Sequence, residues 1–196
     1  MNYFKKIFIT FLSALILTVV NTSSSFAKVE GDTIVLGAAV SLTGKYSSNG
    51  VHTQNGYNLA VERINSMGGV KVKGKNYKFK IIYYDDESNS GRAAQLAERL
   101  IKQDGVQYML GPYSSGLTKA MAPVTEKYKI PMVEANGASR SLFTKGYKYL
   151  FAVLAPANLY LDVAIDLAVE KNGGKPVKIA QAFEQDAFSQ DVRLGI

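Results

Sequence analysis

Short apolar segments alternate with segments of helical periodicity along most of the chain. Thr33–Val40 (TIVLGAAV) is an apolar, β-branched run of the kind that forms a buried parallel strand. After a loop rich in Ser and Gly, apolar residues recur at helical spacing until Gly68 and Gly69 end the pattern. The apolar residues of this first predicted helix are Tyr57, Ala60, Val61, Ile64 and Met67.

The alternation continues to the end of the chain. Further strands are predicted at Tyr77–Tyr84, Val106–Leu110, Pro131–Ala135, Tyr149–Leu154 and Val177–Phe183. Helices are predicted between them by the stripes Ala93/Leu96/Ala97/Leu100/Ile101, Leu117/Ala120/Met121/Val124/Tyr128 and Leu161/Ala164/Ile165/Ala168. Repeated strand–helix–strand units predict an α/β fold with a doubly wound, mostly parallel sheet.

The predicted fold class also predicts where a ligand would bind. In doubly wound sheets, ligands lie beyond the carboxyl ends of the strands. This rule points to three loops, Ser41–Gly50, Gly111–Gly116 and Glu134–Ser139.

The N-terminal segment has the three parts of a secretory signal peptide. Lys5 and Lys6 precede an uncharged apolar run, Ile7–Val20, and Ser25-Phe26-Ala27 supplies small residues at a cleavage site. The apolar run is shorter than the roughly 20 residues that a membrane-spanning helix needs. We therefore expect residues 1–27 to be a cleaved signal peptide and the protein to be periplasmic.

The last residues predict an incomplete second domain. FSQDVRLGI has the pattern of the opening turns of a helix, and no stop signal follows it. We expect an N-terminal α/β lobe at residues 28–154 and the start of a second, truncated α/β lobe at residues 155–196.

The composition removes several kinds of catalytic chemistry. The chain has no cysteine and one histidine, His52, which lies in a polar stretch and is expected at the surface or at a pocket rim. Gly44-Lys45 lacks the other residues of a phosphate-binding loop, and GPYSSG lacks the first glycine of a nucleophile elbow. We therefore predict a protein that is not an enzyme and that has no cofactor or metal.

The charged residues are interpreted as structural. Asp85, Asp86 and Glu87 could form a cation site or an acid–base pair, but a turn and a helix cap from Ser88, Asn89 or Ser90 is the preferred interpretation. The net charge of +7 comes from Lys and Arg interleaved with acids, which does not indicate nucleic-acid binding.

Two strand ends carry chemistry that suits an anionic ligand. In GPYSSGLTKAMAP, a helix is predicted to begin near Ser115, and its N-terminal N–H groups and serine hydroxyls could hold a carboxylate or phosphate. A serine that only caps the helix explains the same residues equally well. In VEANGASRSLF, the small residues after the strand let the backbone approach a ligand, and Asn136 can donate or accept.

The ordered set of these segments resembles the substrate-binding proteins of branched-chain amino acid ABC transporters, which have the type I periplasmic binding protein fold. The matching segments are IVLGAAVSLTGKYSSNG, NGYNLAVERINSMGGV, YYDDES, YMLGPYSSG and IPMVEANGASRSLFTKGYKYLF. The resemblance extends from about Thr33 to the end of the chain. It implies two lobes that close around a small ligand and deliver it to an ABC permease in the membrane.

The resemblance also implies which residues bind the ligand. The carboxylate grip falls on Tyr113, Ser114, Ser115, Asn136, Gly137 and Ala138, and Tyr46 and Asn49 fall on the pocket rim. Phe188 is also expected to contact the ligand. Leucine-type members often have a hydroxyl residue where Ala138 stands and a Tyr-Gly pair where Phe188-Ser189 stands, so the resemblance does not identify the ligand.

The expected ligand is an amino acid, an amide or a related small carboxylate, bound by a monomer that does not bind nucleic acid. Weak binding is expected from this chain because closure needs both lobes. A receptor sensor domain of the same fold is the alternative, and an exported hydrolase is a third, less favoured one.

Overall fold

A computed structural model describes residues 29–196. The predicted signal peptide at residues 1–27 lies outside the described residues. Within the described part of the chain, no helix is long and apolar enough to cross a membrane.

The described residues form one seven-stranded, mostly parallel sheet. Its strands are β1 (Val29–Glu30), β2 (Thr33–Val40), β3 (Val70–Val72), β4 (Lys75–Asp85), β5 (Met109–Leu110), β6 (Met132–Glu134) and β7 (Leu150–Ala152). The strand order is β3-β4-β2-β5-β6-β7, with β1 paired to β2. Strands β4, β2, β5, β6 and β7 are parallel, whereas β1 and β3 pair antiparallel at the margins of this block. The predicted doubly wound α/β sheet is therefore confirmed.

Within residues 29–196, five α-helices connect and follow the strands. They are α1 (Ser47–Ser66), α2 (Ser90–Lys102), α3 (Ser115–Tyr128), α4 (Asp162–Lys171) and α5 (Ala187–Gly195). Helix α2 packs against β2 and α3, whereas α1 packs against β4 and β2. Because the strand order reverses after β4, right-handed connections place α1 on the opposite face of the sheet from α2 and α3.

The core lies between the sheet and the helices α2 and α3. Its fully buried side chains alternate along β2 and form one stripe on each helix. They include Val35, Ala39, Ala97, Leu100, Val106, Met109, Leu117, Met121 and Met132. Pro123 interrupts the sequence of α3 without ending the helix.

Helix α1 differs from its predicted stripe. Met67 is 68% exposed, Ala60 is also exposed, and the buried residues of the helix are Gly50 and Thr53 near its N-terminus. The periodicity identified the helix correctly, but the described part of the chain covers only part of its apolar face.

One predicted strand is absent from the structure. Residues 175–184 form no strand, although Val177–Phe183 has the apolar, β-branched composition of one. A strand needs a neighbour to accept and donate its backbone hydrogen bonds, and none of the residues in 29–196 supplies one here. The division into lobes at residue 154 stays a prediction; no strand follows β7, which ends at Ala152.

Candidate functional site

A cleft of about 350 Å³ lies at the carboxyl ends of the parallel strands. In chain order the parallel strands are arranged 2-1-3-4-5, so the order reverses between β2 and β5. Loops from these two strands leave in opposite directions and open a crevice, which is where ligands bind in such sheets. The cleft is lined by Tyr46, Tyr113, Ser114, Ser115, Ala135, Asn136, Ala138, Leu154, Tyr160, Glu184, Asp186, Phe188 and Ser189.

The N-terminus of α3 supplies hydrogen-bond donors to this cleft. Ser114 is the N-cap residue, and its hydroxyl oxygen accepts from the Leu117 amide at 3.3 Å. The amides of Ser115 and Gly116 lie ahead of the first intrahelical bond, which runs from the Thr118 amide to the Ser114 carbonyl. These two amides, together with the positive end of the helix dipole, suit an anionic group.

The backbone of Ser114 is strained. Its φ of 79° and ψ of 146° place it in a region that is essentially restricted to glycine. Three hydrogen bonds hold the turn. The Ser114 hydroxyl oxygen accepts from the Leu117 amide, and the Ser114 carbonyl accepts from both the amide and the hydroxyl of Thr118. Strain of this kind persists only where the surroundings impose it, and it concentrates at functional sites.

Ser115 has a hydroxyl hydrogen that is available to a ligand. Its Oγ accepts from the Ser139 amide at 3.0 Å, which fixes the position of the oxygen. A hydroxyl group carries one donor and two acceptor sites, so accepting from Ser139 leaves the donor free. Ser115 is 1% exposed and lines the cleft, which makes it a preorganised donor.

Aromatic rings flank the cleft on both sides. Tyr46 and Tyr113 meet edge to face with centroids 5.4 Å apart, and Tyr160 and Phe188 do the same at 5.6 Å. The first pair comes from the β2 and β5 loops, and the second comes from the segment after β7. Two ring pairs of this kind suit an apolar or aromatic portion of a ligand.

The wall opposite α3 carries carboxylates. Asp186 caps α5, where it accepts from the amides of Phe188 and Ser189 and from the Ser189 hydroxyl. Burial raises the pKa of Asp186, but these hydrogen bonds and the Lys45 charge outweigh it, so the net pKa lies below its ordinary value. Glu184 is largely exposed and lies 3.9 Å from Lys45. The cleft therefore has a donor-rich wall and an acidic wall.

The end of β6 is organised by a buried glutamate, Glu134. One carboxyl oxygen, Oε1, accepts from the amides of Asn136 at 2.5 Å and Gly137 at 2.6 Å, and Oε2 lies 2.7 Å from the Thr118 hydroxyl. Burial is the main reason that the pKa of Glu134 is raised to about 7. Two of the backbone amides expected to face a ligand are therefore already bonded to the protein.

Two aspartates after β4 fix the first loop. Asp85 accepts from the amides of Leu42 and Thr43 and from the Thr43 hydroxyl, and buried Asp86 accepts from the Ser41 hydroxyl at 2.6 Å. Asn89 caps α2 by accepting from the Arg92 amide. The preference for a turn and a helix cap over a cation site agrees with this geometry. No cluster of possible metal ligands occurs among the residues described.

A second cavity of about 420 Å³ adjoins the cleft on the α1 side. It is lined by Asn49, His52, Thr53, Gly56, Tyr57, Tyr113, Ala135 and Asn136. Tyr57 donates to the Gly111 carbonyl at 2.8 Å, and its pKa is raised chiefly by burial. His52 is exposed at this cavity, as the sequence predicts.

The structure brings together seven of the nine residues predicted for the site. They are Tyr46, Tyr113, Ser114, Ser115, Asn136, Ala138 and Phe188. Asn49 lies on the first turn of α1 and faces the second cavity instead. Gly137 lines neither cavity, because it packs against Thr118, where a Cβ would meet the hydroxyl oxygen at 2.6 Å.

Some residues that line or support the cleft were not predicted from the sequence. Leu154 was predicted only as the end of a strand and lies two residues beyond β7, and Tyr160 follows a short 3-10 helix for which the sequence gives no clear signal. Asp186 did have one, because an Asp three residues before Ser189 is a common helix-capping arrangement. Glu134 also had one, as an acidic residue within an apolar strand.

Comparisons with known proteins agree with this geometry. The profile of the periplasmic binding protein family matches residues 33–196. A leucine-, isoleucine-, valine-, threonine- and alanine-binding protein of Pseudomonas aeruginosa is 25% identical over 154 residues, which cover 79% of this chain and 40% of that protein.

Two solved structures extend the comparison. The branched-chain amino acid transporter substrate-binding protein of Streptococcus pneumoniae, in complex with isoleucine, is 28% identical with a TM-score of 0.59; the match covers 68% of this chain and 39% of that one. A solute-binding protein of an ABC transporter from Rhodopseudomonas palustris, in complex with p-hydroxybenzoic acid, is 27% identical with a TM-score of 0.70. The match covers 84% of this chain and 42% of that one. The chain thus spans about 40% of the length of the relatives it matches.

Proposed function

Because the chain belongs to the periplasmic binding protein family, we propose that it is part of the extracytoplasmic solute-binding component of an ABC importer. The observation that carries the proposal is the cleft at the strand-order reversal, where the Ser115 hydroxyl and the free amides of α3 face an acidic wall. This arrangement binds and orients a small molecule.

The chemistry of the two walls indicates an amino acid or a related small carboxylate or amide. The carboxylate lies against the N-terminus of α3 and receives the Ser115 hydroxyl hydrogen. The apolar side chain lies between the ring pairs Tyr46–Tyr113 and Tyr160–Phe188. An ammonium group faces Asp186, whose lowered pKa keeps it ionised.

The remaining parts of the proposal follow from the family. Residues 1–27 direct export, residues 28–154 form one lobe, and residues 155–196 begin the second. The protein is a periplasmic monomer that closes around its ligand and delivers it to a membrane permease. These residues span about 40% of the length of the matched relatives, so we expect this chain alone to bind its ligand weakly. A dissociation constant of about 1 mM, which corresponds to a binding free energy of about −4 kcal/mol, is the expected order of magnitude.

Titration of the ¹⁵N-labelled chain with L-leucine tests the proposal. Saturable shifts are expected in the amide resonances of Ser115, Gly116 and Ala138. Ser115→Ala should weaken binding by about ten-fold or more, the loss of a hydrogen bond to a charged group. Ser66→Ala is the matched control, because Ser66 donates only to the nearby Arg63 carbonyl on α1.

The acidic wall is tested with 4-methylpentanoate, which is leucine without its ammonium group. It should bind less tightly than L-leucine if Asp186 faces the ammonium group. Shifts confined to residues outside the cleft, or equal affinity of the Ser115→Ala and Ser66→Ala variants for L-leucine, would contradict the proposed function.

A further inference from the structure

Glu134 is buried without a charged partner. It is 0% exposed, and within residues 29–196 it forms no ion pair with Lys, Arg or His. The carboxyl group packs closely against the backbone, because a Cβ on Gly111 would lie only 2.0 Å from Oε2. Isolated buried charges are costly, and a carboxyl group in such a place avoids the cost by keeping its proton.

The hydrogen bonds around Thr118 favour that proton. The single hydroxyl hydrogen of Thr118 has two oxygens within reach, Glu134 Oε2 at 2.7 Å and the Ser114 carbonyl at 2.9 Å. Thr118 can form a linear hydrogen bond to only one of them, and sharing the hydrogen would weaken both contacts. Both contacts are well-aligned hydrogen bonds if Glu134 donates a proton from Oε2 to Thr118, which then donates to Ser114.

Loss of the proton changes what Thr118 does. An ionised carboxylate is a stronger acceptor than a neutral carbonyl, so Thr118 would turn its hydrogen to Glu134. The Ser114 carbonyl would then keep only the Thr118 amide. Ser114 is the residue whose backbone is strained and therefore depends on such contacts.

We propose that a proton on Glu134 braces the strained turn at Ser114 through Thr118, so that Glu134 positions the cleft donors without touching a ligand. The group works as a relay: Glu134 Oε2–H donates to Thr118 Oγ1, and Thr118 Oγ1–H donates to the Ser114 carbonyl. Oε1 meanwhile holds the amides of Asn136 and Gly137. Neutral Glu134 therefore fixes both strand ends that border the cleft.

The groups that face the carboxyl come from four elements. They are Gly111 after β5, Thr118 of α3, the loop amides after β6, and Tyr57 of α1. Of these only Tyr57 titrates, and its pKa is raised far from neutrality. A pH-dependent change of the turn near neutral pH is therefore assigned to Glu134. His52 lines the adjoining cavity, so the test replaces it in order that any response comes from Glu134.

The test uses the ¹³C,¹⁵N-labelled chain without any ligand, in a His52→Gln background. Wild-type Glu134 is expected to titrate near neutral pH in its side-chain carboxyl ¹³C resonance, and the Ser115 and Gly116 amides should shift with the same midpoint. Glu134→Gln mimics the neutral acid, because its amide group donates to Thr118 permanently. The Ser115 and Gly116 amides should then be insensitive to pH between 5 and 8, approximately the range in which an acid of pKa about 7 titrates.

Two variants of Thr118 separate bracing from simple packing. Thr118→Ser keeps the hydroxyl and should keep the coupled titration. Thr118→Val keeps the shape but should uncouple the amides of Ser115 and Gly116, while Glu134 still titrates. These two variants also decide the matter if Glu134→Gln does not fold.

Either of two results would overturn the proposal. One is a carboxyl titration of Glu134 near the ordinary glutamate value of 4.5. The other is an unchanged pH response of the Ser115 amide in Glu134→Gln or Thr118→Val. Because no ligand is added, failure here leaves the proposed function standing, and failure of the leucine titration leaves this proposal standing.

Discussion

Replacing Ser114 by glycine should stabilise the protein, whereas replacing it by alanine should destabilise it. Ser114 holds a φ of 79° and a ψ of 146°, which costs about 1–3 kcal/mol for a residue with a Cβ. Glycine removes that strain. It also loses the side-chain cap to the Leu117 amide, which costs only a few tenths of a kcal/mol for glycine.

The net effect follows from three contributions. Glycine adds freedom to the unfolded chain, which costs about 0.4–1 kcal/mol. The sum favours Ser114→Gly by about 1 kcal/mol. Alanine keeps the strain and loses the cap, so Ser114→Ala should lose about 1 kcal/mol. The two variants should therefore differ by about 2 kcal/mol.

Urea unfolding followed by tyrosine fluorescence measures this difference. The chain has 12 tyrosines and no tryptophan, so the signal comes from tyrosine alone. Equal slopes of the free energy of unfolding against urea are needed for the comparison. Asn89 is the matched control: it caps α2 in the same way, but with an ordinary φ of −113°.

The control predicts the opposite sign for glycine. Asn89→Gly has no strain to remove and should be slightly destabilising, and Asn89→Ala should lose about 1 kcal/mol. If Ser114→Gly is no more stable than Ser114→Ala, or if both sites respond alike, the strain at Ser114 does not exist in solution. The bracing role given to Glu134 would then lose its purpose.

Three further predictions concern the surroundings of the cleft. The raised pKa of Glu134, about 7 against 4.5, means that the contribution of Glu134 to wild-type stability is fully present below pH 4.5 and is lost as pH rises through 7. The stability of Glu134→Gln relative to wild type should therefore rise by about 3 kcal/mol across that window in urea unfolding. Gly50→Ala places a Cβ 1.8 Å from the Ser41 carbonyl oxygen and should lose about 3 kcal/mol, whereas Gly56→Ala meets nothing within 4 Å and should gain up to about 1 kcal/mol in the same assay. Burial raises the pKa of Asp85, but hydrogen bonds from the Thr43 hydroxyl and three backbone amides lower it by more, so the net pKa lies below 3.8. The stabilising effect of Asp85 is therefore present above pH 3.8 and is lost as pH falls through the lower pKa of the folded state. Asp85→Asn should lower the melting temperature at pH 7 and match wild type in strong acid, as measured by circular dichroism.

The fold could be predicted from the sequence where each element carries its own signal. Helix α3 is an example, because its apolar stripe and the serines before it mark both its face and its start. Residues 177–183 show where this reasoning fails. Their apolar, β-branched composition fits a strand, but a strand also requires a partner, which no local pattern reveals. The exposed face of α1 fails for the same reason, since burial depends on what packs against it.

The site could be predicted only to the level of loops. The rule for parallel sheets pointed to the three loops after β2, β5 and β6, all of which contribute to the cleft, and the serines of the α3 turn followed from the segment itself. The direction in which each backbone N–H group of a loop points could not be predicted. The Asn136 and Gly137 amides were expected to face a ligand, but they face Glu134, because a buried carboxyl group two or three residues away accepts their hydrogen bonds.

This internal use of amides narrows how an anion can be held in the cleft. Once Glu134 has taken the backbone amides of Asn136 and Gly137, the donors left at the strand ends include the amides of the α3 turn and the Ser115 hydroxyl, which Ser139 fixes. Across the cleft, the carboxylates of Asp186 and Glu184 repel an anion. Both effects support the proposed orientation, with the negative end of a ligand at α3 and its positive end at α5. A buried acid outside the cleft lining contributes to this orientation, since removing the Glu134 side chain would release two competing donors at β6.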